Sequence, residues 1–167
     1  MSTNTTIHAL SFRDTKTYIL AALFVVGNIV FPQLCHLYPQ GGFIMLPIYF
    51  FTLIAAYKYG WKVGLLTAIL SPLCNSMLFA MPAPQVLPIL LFKSTVLAIA
   101  AAIVAKKVGV TLLGITIAVV AYQLLGGIVE WAITGSLTAA CSDIWLGYPG
   151  IMLQILGGYC MLKYLLK

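Results

Sequence analysis

The chain has 167 residues, 62% of them hydrophobic and 7% charged, with a mean hydropathy of +1.07. So few charges cannot coat a water-exposed surface, so a soluble domain is excluded and an integral membrane protein is expected. The formal charge of +6 comes from nine Lys and Arg against three acids. Their positions assign that charge to topology, not to nucleic acid or an acidic partner.

Residues 1–16 are polar and carry no cleavable leader pattern, so they read as a cytoplasmic tail before a single transmembrane domain over 17–167. Apolar runs between polar breaks place spans at 17–37, 43–58, 63–81, 86–105, 108–132 and 148–165, each near the roughly 20 residues a helix needs to cross hydrocarbon. A transmembrane barrel is excluded, because these runs lack in-out alternation and are twice too long for strands.

The first span carries small residues at Ala21, Ala22 and Gly27, and ends in "FPQLCHL", where Pro32 and Gln33 stand in place of the small residues expected before a lipid-modified cysteine. The third span is broken by Ser71-Pro72, carries Cys74 and Asn75, and runs into Pro82, Pro84 and Pro88. Pro72 cannot donate to the carbonyl of Ala68, so this helix should bend and turn Asn75 toward the bundle interior. Pro82 and Pro84 then stop the helix, and Pro88 falls in the first turn of the fourth span, where its missing donor costs little.

The fourth span holds Lys93 and the close-packing pairs Ala98/Ala102 and Ala101/Ala105. In the fifth, Gln123, Gly127 and Glu130 share a helical face, and in the sixth Gly150, Gln154 and Gly157 do the same. The connection over 133–147 is the longest, with Trp131, Asp143, Trp145 and Tyr148 in and beside it.

Basic residues stay on the cytoplasmic side of short loops. Arg13 and Lys16 precede the first span, Lys58 and Lys62 flank the second connection, Lys106 and Lys107 fill the fourth, and Lys163 and Lys167 close the chain. The alternate connections carry none, so both termini are expected in the cytoplasm. Only Lys93 falls outside this pattern.

Within hydrocarbon a polar group costs free energy unless it has a partner or a cavity. Asn75, Lys93, Gln123, Glu130 and Gln154 all fall in the outer half of their spans, beside glycines, which points to an outward-facing pocket. Two readings stand for Lys93 and Glu130: they neutralise each other, or each meets a charged group of a ligand. Trp131, Trp145 and Tyr148 are either a lid over that pocket or the aromatic belt of the membrane interface.

The three acids, Asp14, Glu130 and Asp143, form neither a paired-carboxylate motif nor a metal cluster. There is no phosphate loop or nucleophile elbow, and no cofactor, metal site or enzymatic activity is expected. Cys35, Cys74, Cys141 and Cys160 lack metal-type spacing and read as small hydrophobes, with a Cys35–Cys141 disulfide chemically possible at the outer face. His8 and His36 are too far apart in the topology to form a metal pair.

The stretch "GGFIMLPIYFFTLIAAYKYGWKVGLLTAIL", its Tyr-Gly turn "YKYGWKVG", and the following "SPLCNSMLFAMPAP" resemble the S components of energy-coupling factor (ECF) vitamin transporters. The similarity runs from about residue 17 onward. It implies a six-helix all-α bundle, N-in and C-in, in the bacterial inner membrane, which captures a vitamin or cofactor precursor from the outer side. The energy would come from partners, a transmembrane coupling subunit and two ATPase subunits, with membrane lipid around the bundle and no nucleic acid.

The family often docks its coupling subunit through Ala-x-x-x-Ala in the first helix. Here that helix offers Ala21 and Ala22 without the spacing, and the fourth offers Ala98 and Ala102. The ligand set implied by position is Asn75, Lys93, Gln123, Glu130, Gln154, Trp131, Trp145 and Tyr148. Alternatives are a solitary cobalamin-type transporter using the Cys74 thiolate, and a non-transporting scaffold similar to the six-helix rod-shape protein of cell-wall elongation.

Overall fold

A computed structural model of the protein describes residues 10–165. His8, Lys167 and residues 1–9 of the expected tail lie outside the described residues. Every regular element among those described is helical.

Four helices are long and apolar enough to cross a membrane: α1 (Thr15–His36), α4 (Trp61–Phe79), α5 (Leu87–Val108) and α6 (Leu112–Thr134). They correspond to the first, third, fourth and fifth expected spans, with ends shifted by a few residues. The chain is therefore an all-helical membrane protein. The lipid-facing logic is visible in α1, where Ile19, Leu23, Val26, Val30 and Leu34 form one exposed apolar stripe while Thr17, Ala21 and Asn28 are buried. The exposed stripe is wholly large and apolar, whereas the buried face adds small and polar residues to Phe24, Val25 and Pro32, a mix that suits close helix association in lipid.

The second expected span is not one helix. It comprises α2 (Gly41–Met45), a 3₁₀ turn at Pro47–Tyr49, and α3 (Phe50–Tyr59). Pro47 disfavours helical backbone at the residue before it, and Leu46 takes a left-handed conformation with φ 43. The sixth expected span runs from α9 (Tyr148–Met152) through a π-helical stretch at Leu153–Gly157, α10 (Gly158–Cys160) and a second π-helical stretch at Met161–Leu165. Two short helices, α7 (Leu137–Ala140) and α8 (Ser142–Trp145), fold the connection before it.

α3 is the centre of the bundle, packed on α1, α4 and α5. Leu53, Ile54, Ala55, Ala56 and Tyr57 have no exposed surface. α4 comes close because Gly64 lies on Ala56, where a Cβ would collide. α5 carries Ala98, Ala101 and Ala105 inward and sits between α4 and α6.

The turns after α3 and α5 lie at one end, with Lys58, Lys62, Lys106 and Lys107, and α1 begins there. Gly60 (φ 87) and Gly109 (φ 70) end the two helices in backbone that favours glycine. Tyr57 Oη donates to the Gly109 carbonyl at 2.6 Å and joins the turns. The opposite, lysine-free end consists of residues 37–40, 80–86 and 135–147, and is called the far end below.

Candidate functional site

The far half of the bundle holds a buried charge triad. Lys93 lies in the second turn of α5, and its stem crosses α6 at Gly126, where any Cβ would collide with the Lys93 Cγ. Its ammonium donates to Glu130 Oε2 near the end of α6, and to Asp143 Oδ2 at 2.8 Å. Lys93 is 2% exposed, Glu130 13% and Asp143 15%.

Asp143 reaches this position through the folding of the connection. Gly135 ends α6 at φ 66. Ser136 caps α7 by accepting from the Ala139 amide at 3.2 Å. α7 then lies back on α6, with the Ala140 carbonyl over Gly127. That close approach aims α8, with Asp143 in its first turn, at Lys93. Glu130 thus pairs with Lys93 inside the chain, and a second carboxylate joins them.

A neutral network lies on the other side of the bundle. Pro32 has no amide hydrogen to offer the Asn28 carbonyl one turn earlier. That carbonyl instead accepts from Asn75 Nδ2 at 2.9 Å, which also donates to the Ser71 carbonyl at 3.0 Å. Asn28 Nδ2 donates to Thr52 Oγ1 and Ser71 Oγ at 3.0 and 3.1 Å, while its Oδ1 accepts from the Phe51 amide at 3.2 Å. Both amides of the pair are oriented by these partners, and Asn75 Oδ1 is left buried with no hydrogen bond among the described residues.

A third network joins α6 to the last helix. Tyr122 Oη donates to Gln154 Oε1 and accepts from Gln123 Nε2, both at 3.0 Å. Gln154 Nε2 reaches the Leu46 carbonyl at 3.5 Å, at the break between α2 and α3. Tyr49 stacks on Tyr122 with ring centres 5.0 Å apart. The broken second span thus supplies a backbone acceptor and an aromatic wall to this group, and Gln154 lies in the wider π-helical turn.

All five inward polar residues named from the sequence enter these networks, but they divide among three of them. The aromatic candidates do not join: Trp131, Trp145 and Tyr148 are 52%, 80% and 63% exposed. Ala21, Ala98 and Ala102 are buried within the bundle, and Ala22 faces outward. The four cysteines are free thiols, Cys74 half-buried beside Asn75.

Sequence reasoning missed Asp143 as a partner of Lys93, and Asn28, Thr52 and Tyr122 as network members. Asn28 carried a signal, being an amide within an apolar helix one turn before a proline. Asp143 carried one too, since acids are so few in this chain.

Two surface grooves occur elsewhere. One of about 360 Å³ is lined by Trp61, Ile99, Ala102, Ile103 and Lys106, and one of about 440 Å³ by residues including Phe31, Tyr38 and Met45. Neither includes a member of the triad. Among the described residues no group of three His, Cys, Asp or Glu side chains converges on a metal position. No family model, no curated protein and no solved structure matches the chain.

Proposed function

We propose that the chain is the substrate-binding membrane subunit of an ECF-type vitamin transporter. It has six spans in the bacterial inner membrane, with both termini cytoplasmic. The observation that carries this reading is the concentration of buried charge in the far half of an apolar bundle, Lys93 with Glu130 and Asp143. Intramembrane ionisable residues are expensive and mark ligand or ion pathways by default. In this reading the broken second span and the interrupted last helix are the second and sixth crossings, and the chain performs no chemistry of its own.

The triad is closed over by α7 and α8, so a vitamin-sized molecule enters only when the 135–147 connection moves. A coupling subunit and two ATPases supply the energy. With Ala21, Ala98 and Ala102 turned inward, Ala22 is the one named docking residue that faces outward.

The test is gentle purification followed by mass spectrometry of bound small molecules, alongside uptake by cells carrying the chain with and without a coupling module. A vitamin-like molecule that co-purifies and accumulates only with the module supports the reading. Its absence from both measurements overturns it.

One observation favours a second reading, a non-transporting scaffold of the rod-shape type: the Lys93 charge is already neutralised inside the chain. A scaffold retains its activity when the triad is replaced by neutral residues of similar size, whereas a binding subunit does not. A solitary cobalamin-type transporter is distinguished by loss of binding in Cys74→Ser.

A further inference from the structure

The triad has one cation and two anions, and its layout is asymmetric. Lys93 lies deepest at 2% exposure, while Glu130 and Asp143 are 13% and 15% exposed. Each carboxylate gives one oxygen to the ammonium, Oε2 from Glu130 and Oδ2 from Asp143. Their other oxygens, Oε1 and Oδ1, accept no hydrogen bond among the described residues. The triad therefore has one more carboxylate than it has cations, and the free oxygens are not among the buried unpartnered atoms, so they reach the surface at the far end.

Resting on the binding-subunit reading, we propose that the group bound at the triad is an organic cation, a protonated or quaternary ammonium held between Glu130 and Asp143. An anion approaching from the far end meets two carboxylates and finds Lys93 already taken. A cation meets free acceptor oxygens and completes the neutralisation, because one added positive charge balances the triad.

Among the described residues no three His, Cys, Asp or Glu side chains converge there, and two carboxylates beside an ammonium suit an organic cation better than a metal ion, which takes more oxygen ligands.

The test is retention from a bacterial metabolite extract. The purified full chain in lipid nanodiscs is incubated with the extract and washed, and retained species are identified by mass spectrometry. The expected result is retention of one or a few molecules bearing a cationic nitrogen, reduced at least tenfold in Glu130→Gln and in Asp143→Asn. Circular dichroism confirms that these variants fold, and an Ile19→Val variant, on the outward stripe of α1, keeps full retention. Retention of anionic or neutral species alone overturns the charge assignment and leaves the binding-subunit reading standing. Retention of inorganic cations alone also overturns it. If nothing is retained, both are overturned.

Discussion

The side-chain amide of Asn75 donates to the backbone carbonyl of Asn28 at 2.9 Å, across α1 and α4. That carbonyl is free because Pro32, one turn later, lacks an amide hydrogen. A helix defect in one span thus creates the acceptor that fixes a polar side chain of another. The same site draws in Ser71 and Thr52, so four polar residues from three helices are organised around one missing backbone hydrogen bond.

Pro32→Ala restores the intrahelical donor to Asn28 and makes it compete with Asn75. Asn75→Ala in the wild-type background should lower stability by about 1–2 kcal/mol, the upper range for interhelical hydrogen bonds in membranes. In the Pro32→Ala background the same change should cost measurably less. Thermal unfolding of the four proteins in one detergent checks this, and equal costs in both backgrounds would remove Pro32 from the account.

Gly126→Ala drives a methyl group into the Lys93 stem, with no open space on that side. Gly135→Ala meets no atoms within 4 Å but sits at φ +66. The second substitution should cost about 1 kcal/mol from backbone strain alone. Gly126→Ala should cost more, about 2–3 kcal/mol as an overpacked core does, and should also impair ligand retention, which Gly135→Ala spares. Paired unfolding and binding measurements separate the two.

Tyr122→Phe removes the hydroxyl that both accepts from Gln123 and donates to Gln154. Gln123 Nε2 and Gln154 Oε1 then lack a partner, at a cost of about 1–3 kcal/mol each where nothing replaces it. Gln154→Leu with Tyr122→Phe should recover part of that loss, because removing both sides of a buried hydrogen bond leaves fewer orphans. Chemical denaturation of the single and double variants reads the difference.

Lys93→Met leaves two carboxylates facing each other in an apolar setting and should destabilise the fold by about 3–5 kcal/mol. Asp143→Asn leaves Lys93 paired with Glu130 and should cost far less. Combining Lys93→Met with Glu130→Gln and Asp143→Asn removes every charge and should restore most of the stability lost in Lys93→Met alone. A triple variant as unstable as Lys93→Met would show that packing, not unpaired charge, accounts for the loss.

Length and hydropathy made the four continuous helices legible, since 19 to 23 apolar residues leave few alternatives. The breaks in the second and sixth expected spans were not, because hydropathy does not register Leu46 adopting a left-handed backbone before Pro47, or the π-helical turns around Gln154. Helical periodicity grouped Glu130 with Gln123 and Asn75 with Ser71, and Lys93 stood out only as a charge within an apolar span; Asn75, Ser71, Gln123 and Lys93 are buried and Glu130 half-buried. It could not place Asp143, which reaches the triad through two short helices whose fold depends on Gly127 and Ser136. It also assigned Gly127 to the polar face, whereas Gly126 is the residue that makes room for Lys93.

In the binding-subunit reading the buried triad binds a ligand and does not serve packing alone. Calorimetric titration of the molecule identified by mass spectrometry into wild type, Glu130→Gln and Asp143→Asn, each verified as folded, tests this. At least a tenfold loss of affinity is expected in each variant, about 1.4 kcal/mol. Unchanged affinity in both would contradict it.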